Sequence, residues 1–460
     1  MNHAEPSRAT RPRCSGRHPL GSPELVERVL DGSLPFDELL TAALSRLAAE
    51  CPRCAAAIVA FQAERGEPLV SGRRGPEATR SKRRDARRRA SAPDAAARGE
   101  LAAIRRFQPE RRAALVDGAS RRFRSRWLAE QLLAEAMELA SLDPAESASL
   151  ALAAERVAAR LPGAPLAGPA AALAARGRAR QAEAARLAGD PAAAERVWRR
   201  LHADLAKRRL PPPVAAELAG LEGLLRRQQG RFTAAAELLE LALAHRFGEP
   251  VASRAPLMVL LADVYRLGGD PAAGRGVAEE ACGLTDGDRF PVAHLCAVHA
   301  WIGCELALGR PRTARGRLAA VAPALSSLRP EHSWLVDRSV ALEGRIAFHL
   351  EEYEEAERKL AEAANRFLAG GEAVDAALAA LDLAALYRLQ GRGDELLAHA
   401  AGVARTFTDR RLPADVADAL GELVRRFEAD RLSPASLSGL RERVERSSPP
   451  ASLRLAAASA

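Results

Sequence analysis

Small and apolar residues between residues 127 and 427 occur in blocks that short polar turns interrupt at a nearly constant interval. The turns read "LAGDP", "QQGRF", "LGGDP", "ALGRP", "HLEEY" and "LQGRG". Aligned on the third residue of each, they lie 41, 39, 40, 42 and 40 residues apart. A constant period of this length predicts an array of stacked, similar units.

Each unit has the pattern of two helices joined by a tight turn. The aligned turn residue is Gly in five of the six units, and Gly adopts the left-handed conformation of a helix C-cap at low cost. Small residues recur five positions after it, at Ala194, Ala235, Gly274, Ala314 and Ala356. They recur again seven positions before it, at Ala182, Gly223, Ala262, Gly344 and Ala384. Small side chains at both places predict a close approach of the two helices.

This combination, clearest from Leu221 to Ala244 and from Leu342 to Ala364, resembles the tetratricopeptide repeat. The units are longer than the 34 residues usual for that family. The resemblance implies an all-α solenoid of six to seven hairpins over residues 101–427, followed by a capping helix over 428–446. It also implies a concave face that binds an extended peptide or a helix of a protein partner. Residues 1–17 and 447–460 are predicted to be disordered.

The composition favours helices. Hydrophobic residues make up 48% of the chain, but aromatic residues only 4%. Ala and Leu dominate the apolar set, which nearly excludes a β-sheet protein. Six cysteines are too few for a disulfide framework in 460 residues. Without a signal peptide or a run of about 18 apolar residues, we expect a cytoplasmic protein with no membrane contact.

The net charge of +9 arises from one basic segment. Between Arg73 and Arg126, 18 Arg or Lys residues stand against 6 Asp or Glu. Residues 65–100, which overlap this segment, are rich in Gly, Pro, Ser and like charges, which predicts a basic flexible linker. Clustered arginines can bind the phosphates of nucleic acid. Because no DNA-reading motif accompanies them, a solvated linker is the favoured interpretation.

Residues 18–64 form a separate short module. Two amphipathic helices flank "DGSLP", and the pair Cys51 and Cys54 follows in "LAAECPRC". A piece of this size buries too little surface to be stable alone, so a metal or a partner is expected. The order of these features resembles the zinc-finger module of anti-sigma factors.

The resemblance implies zinc ligands at Cys51, Cys54 and His18. The family's remaining histidine is replaced by Arg46, which cannot bind a metal, and Cys14 is the nearby substitute. Two alternatives stay open: a remnant that packs without metal, and a redox pair of cysteines.

The sequence indicates no active site. His294, Cys296, His299 and Cys304 lie close in the chain, but helical spacing points them in different directions. The predicted function is therefore that of a non-enzymatic interaction protein, whose N-terminal module regulates transcription by contacting a sigma factor or another regulator. The alternatives are a nucleic-acid-associated protein and an assembly or secretion scaffold with a vestigial module.

Overall fold

The computed structural model describes residues 95–119, 122–161, 168–206, 210–246, 250–285, 287–408, 414–428 and 432–448. The chain divides into two compact units, one of residues 1–92 with 247–250, the other of residues 93–246 with 251–460. All the described helices belong to the second unit. No β-strand occurs among the described residues, which confirms the predicted all-α class. None of their helices is both long and apolar enough to cross a membrane.

The helices follow one another with short connections. The first seven are α1 (Ala95–Arg106), α2 (Pro109–Gly118), α3 (Arg126–Leu139), α4 (Pro144–Ala159), α5 (Pro169–Leu187), α6 (Pro191–Leu205) and α7 (Pro212–Gln228). The next six are α8 (Phe232–His245), α9 (Val251–Leu267), α10 (Pro271–Leu284), α11 (Pro291–Ala307), α12 (Pro311–Ala320) and α13 (Ala322–Ser326). The last six are α14 (Ser333–His349), α15 (Tyr353–Ala369), α16 (Ala373–Leu389), α17 (Gly393–Thr408), α18 (Ala414–Glu428) and α19 (Pro434–Ser447).

Helices α3 to α17 form successive helical hairpins. The pairs are α3/α4, α5/α6, α7/α8, α9/α10, α11/α12, α14/α15 and α16/α17. The short α13 and a 3₁₀ turn at Pro330–His332 connect α12 to α14. Helix α1 begins at Ala95, inside the range predicted as the linker, and packs on α3.

The six aligned turn residues all adopt the left-handed conformation, as predicted. Their φ angles are 83° at Gly189, 72° at Gly230, 87° at Gly269, 72° at Gly309, 63° at Glu351 and 69° at Gly391. In every turn the N–H of the next residue donates to the carbonyl five positions earlier, with an N···O distance of 2.9 Å. This is the Schellman arrangement, which satisfies a terminal carbonyl of the first helix and reverses the chain.

Small residues hold the two helices of a hairpin close together. A Cβ on Gly344 of α14 would lie 2.8 Å from Leu360 Cγ of α15. A Cβ on Gly274 of α10 would lie 2.6 Å from the carbonyl oxygen of Ala262 in α9. Carbon atoms do not pack at such distances, so these helix pairs owe their spacing to the missing methyl groups.

The apolar core continues from one hairpin to the next and ends under α19. Leu437, Leu440 and Val444 of α19 are buried in the same cluster as Leu381 of α16 and Leu423 of α18. The C-terminal end of α19 also touches α7, more than 200 residues earlier in the chain. The last described helix therefore contacts the array at two widely separated hairpins.

Candidate functional site

Five first helices of successive hairpins, α7, α9, α11, α14 and α16, line a common cavity of about 170 Å³. We call the surface that they share the inner face. Helix α14 contributes Arg338, Ala341, Leu342 and Arg345, which follow the i, i+3, i+4, i+7 spacing of one helical face. The residues from α11 and α16 have the same spacing, and α19 contributes to the wall. The repeat therefore presents equivalent faces of its first helices to one space.

A row of alternating charges crosses this cavity. In order it consists of Arg227, Asp263, Arg266, Glu445, Arg441, Asp382 and Arg345, and we call it the charge chain. Arg266 Nη2 lies 2.6 Å from Glu445 Oε1, and Arg441 Nη1 lies 2.6 Å from Glu445 Oε2. The Glu445 carboxylate of α19 thus connects Arg266 of α9 to the remaining members of the charge chain.

At the carboxylates of the charge chain, burial raises the pKa whereas the neighbouring arginines lower it, and the arginines have the larger effect. Burial opposes the ionisation of Glu445, but Arg266 and Arg441 outweigh it and hold its pKa well below the usual range. Burial likewise opposes the ionisation of Asp263, where Arg227 and Arg266 outweigh it and lower its pKa. Both carboxylates are therefore ionised at neutral pH and act as fixed negative charges between arginines.

Arg227 fastens the end of α19 to α7. Its guanidinium contacts Asp263 Oδ2 at 2.7 Å and donates to the carbonyls of Arg446 at 2.8 Å, Glu445 at 3.0 Å and Ser448 at 3.2 Å. These carbonyls stand at the C-terminal end of α19, which carries the negative end of the helix dipole, and the one of Glu445 also accepts from the Ser448 N–H at 3.2 Å. A buried arginine thus satisfies them from across the fold.

Arg345, at the other end of the charge chain, is poorly paired. Its Nε lies 3.8 Å from Asp382 Oδ2, beyond hydrogen-bonding distance, while Arg441 holds Asp382 Oδ1 at 2.6 Å. Among the described residues, no acceptor takes a hydrogen bond from the Arg345 guanidinium. Burial and the nearby Arg441 lower the pKa of Arg345 to about 10, so it stays charged at neutral pH.

His299 also faces the cavity but is not placed as a catalytic base. Its Nε2 lies 2.9 Å from Ser339 Oγ, and that hydroxyl donates to the carbonyl of Leu335 at 2.9 Å. Because the Ser339 proton is already committed, Nε2 carries the hydrogen of this contact. Burial and Arg338 lower the pKa of His299 to about 3, so the ring is neutral and a very weak base.

The predicted zinc ligands Cys51, Cys54, His18 and Cys14 lie outside the described residues, as does Arg46. The zinc site, its metal-free and redox alternatives, and the linker before residue 95 therefore stay predictions.

In the cluster predicted to diverge, Cys296 and His299 share the cavity-lining face of α11, whereas His294 and Cys304 do not line the cavity. His294 Nδ1 contacts the Thr285 carbonyl at 2.9 Å, and Cys296 and Cys304 are buried thiols. Within the described ranges, no group of three or more His, Cys, Asp or Glu residues is arranged to hold a metal.

Part of the basic segment is used inside the fold. Arg112 is 4% exposed, donates to the carbonyl of Ile104 at 3.1 Å and pairs with Glu146 at 2.6 Å. Arg105 binds Glu135. These arginines stabilise the packing of α1 and α2 against α3 and α4, and this use competes with contacts to nucleic acid.

Sequence reasoning missed the charge chain, although one signal for it exists. Arg338 and Asp375 are 37 residues apart and lie at equivalent positions of two first helices, as do Arg345 and Asp382. Charged residues on the buried face of a repeat, at matching positions, indicate ion pairs between neighbouring units.

No family model matches the chain, and neither does any curated protein sequence. Among solved structures, it is similar to a Rap protein complexed with competence and sporulation factor, with 14% identity and a TM-score of 0.48 over 72% of this chain and 95% of that one. It is also similar to the apo form of RapI, with 12% identity and a TM-score of 0.45 over 66% of this chain and 86% of that one. The hairpins of this chain themselves show its helical-repeat architecture.

Proposed function

We propose that this chain is a non-enzymatic interaction protein whose inner face binds an extended or helical segment of a protein partner. The observation that carries the proposal is α19, a helix that the inner face already holds. Leu440 and Val444 are buried in one apolar cluster with Val340 of α14 and Leu381 of α16. Glu445 pairs with Arg266 of α9, and Arg227 of α7 binds the terminal carbonyls. Apolar contacts supplemented by ion pairs are also how helices dock into grooves of partner proteins.

The chemistry of the cavity supports binding rather than catalysis. The neutral His299 donates to a serine whose own proton is held by a backbone carbonyl, so this pair does not generate a nucleophile. The carboxylates of the charge chain are bound by arginines and stay ionised, which makes them poor proton donors. These side chains therefore position neighbouring helices and supply fixed charges to the cavity.

The test is a selection of random peptides from a display library on the immobilised full-length chain. Ala341→Arg places a long side chain on the inner face, and Ala272→Arg makes the same change on the exposed side of α10. Peptides that bind the wild type and the Ala272→Arg variant, but not the Ala341→Arg variant, are expected. Equal binding to all three proteins, or no selected peptide, would refute the proposal. Far-ultraviolet circular dichroism of each variant checks that the helices are retained.

We further propose, from the resemblance alone, that residues 18–64 hold zinc and make a regulatory contact, with a sigma factor as the first candidate partner. Cys51, Cys54, His18 and Cys14 are the proposed ligands. One zinc per purified chain is expected, with loss of the metal in Cys54→Ser and retention in the buried-thiol control Cys296→Ser. A zinc-free wild type would refute the metal site, and a pull-down that recovers no transcription component would refute the regulatory contact.

A further inference from the structure

The charge chain contains one more positive than negative charge. Its arginines are Arg227, Arg266, Arg441 and Arg345, and its carboxylates are Asp263, Glu445 and Asp382. Each carboxylate is shared by two arginines, so the alternating row begins and ends with an arginine. Arg338 has its own partner, Asp375, at 3.2 Å. The positive charge that no carboxylate neutralises therefore lies at one end of the charge chain.

That end is Arg345. The other terminal arginine, Arg227, binds Asp263 and three backbone carbonyls, so its donors are used. Arg345 has only the 3.8 Å approach to Asp382, and its side chain is 21% exposed, toward the cavity. A guanidinium presents five N–H donors in a rigid fork suited to a carboxylate. An incompletely paired arginine in such a space is arranged to receive an anion.

The cavity is large enough for such a group together with several carbon atoms. Its volume is about 170 Å³, and engineered cavities near 150 Å³ in other proteins admit a benzene molecule. Ala341, Leu342, Phe367 and Leu378 form part of the wall. Apolar carbons beside a guanidinium suit a carboxylate on a short aliphatic stem better than a bare inorganic anion, because the stem also buries apolar surface.

The structure contains an internal example of this recognition. Glu445 of the docked helix α19 places its carboxylate 2.6 Å from Arg266 of α9, while Arg441, four residues earlier in α19 itself, holds the other carboxylate oxygen. Arg345 follows at the next arginine position of the chain. An acidic side chain from a segment lying beside α19 would continue the alternation of charges.

We propose that Arg345 anchors one acidic side chain, an Asp or Glu, of the segment that binds the inner face. This inference rests on the proposed function and specifies the partner: a segment with one carboxylate flanked by apolar residues. Arg345 is the specificity residue, and the apolar wall receives the stem of the acidic side chain.

The experiment uses peptides selected on the full-length chain from a random display library and synthesised with amidated C-termini. Each peptide is compared with a form in which its acidic residue is replaced by the corresponding amide, and binding is measured by calorimetry. The protein variants are Arg345→Gln and, as the matched control, Arg312→Gln on the exposed side of α12. Arg345→Lys, which keeps the charge but loses the fork of donors, substitutes if Arg345→Gln does not fold.

The amide form is expected to bind the wild type and Arg312→Gln about 10- to 100-fold more weakly than the acidic form, the effect of losing charge-assisted hydrogen bonds. On Arg345→Gln the two forms should bind alike. Peptides that bind without any preference for an acidic residue, or only with a free C-terminal carboxylate, would overturn the inference while leaving the proposed function intact. Failure to select any peptide would instead overturn the proposed function.

Discussion

The close contact of α9 and α10 predicts opposite effects for the same substitution at two glycines of one helix. Gly274 and Gly276 both lie in α10, but Gly274 is buried against α9, whereas a Cβ on Gly276 would meet no atom within 4 Å. Ala is favoured over Gly in a helix interior by about 1 kcal/mol. At Gly276 that preference acts alone, so Gly276→Ala should stabilise the protein by about 0.5–1 kcal/mol.

At Gly274 the added methyl group must displace backbone. Its Cβ would lie 2.6 Å from the Ala262 carbonyl oxygen, 3.0 Å from Cys304 Sγ and 3.3 Å from the Arg266 amide nitrogen. A helix carbonyl cannot rotate away, so α10 must move away from α9. Overpacking of this kind costs about 1–3 kcal/mol. The cost exceeds the propensity gain, and we expect Gly274→Ala to destabilise the protein by about 1–2 kcal/mol.

The assay is urea denaturation of the full-length chain, followed by circular dichroism at the helical band. The slope m should be unchanged, so that a shift in midpoint reports stability. Gly276→Ala should raise the midpoint and Gly274→Ala should lower it. A midpoint for Gly274→Ala equal to or above that of the wild type would show that the helices do not approach as closely as described.

Three further predictions concern stability. Glu351 is the non-glycine residue among the six aligned turns, with φ at 63°. Glu351→Gly should therefore raise the free energy of unfolding, measured by urea denaturation, by about 0.5–1 kcal/mol, whereas Glu351→Ala should not. Equal effects of the two substitutions would show that the lost charge, and not the backbone conformation, is responsible. Glu445→Gln removes a carboxylate from between two partly buried arginines and should lower the free energy of unfolding by about 3 kcal/mol in the same assay. A loss below about 1 kcal/mol would contradict the charge chain. His299 has its pKa lowered to about 3, so between pH 3 and its ordinary 6.5 only the unfolded state binds the proton and stability rises with pH. Replacing it by His299→Gln should reduce that slope by one proton, about 1.4 kcal/mol per pH unit, and an unchanged slope would show that the ring is accessible.

Local chemistry explains why the hairpins were predictable. Gly189, Gly230 and Gly309 stand in the left-handed positions that a tight reversal needs, and the spacing of such turns measures the repeat without any knowledge of packing. The small residues at Gly274 and Gly344 were equally visible, because close helix contact requires a small side chain wherever it occurs. These features depend on neighbours a few residues away or on a repeating interval, and both are written in the sequence.

The site depends on neighbours far apart in the chain. Arg227 meets the carbonyl of Glu445, 218 residues away, because the end of α19 returns to α7, and no periodicity encodes that return. The matched spacing of Arg345 and Asp382 identifies neighbouring repeats, but it does not show that Arg441 of α19 takes the carboxylate and leaves Arg345 poorly paired. The sequence by itself thus determined the helices, their turns and their interval, since these follow from local backbone preference. Only the tertiary structure decided which carboxylates are shared between arginines and that Arg345 is poorly paired. An ion pair depends on the distance between its two groups in space, and burial sets the strength of their interaction.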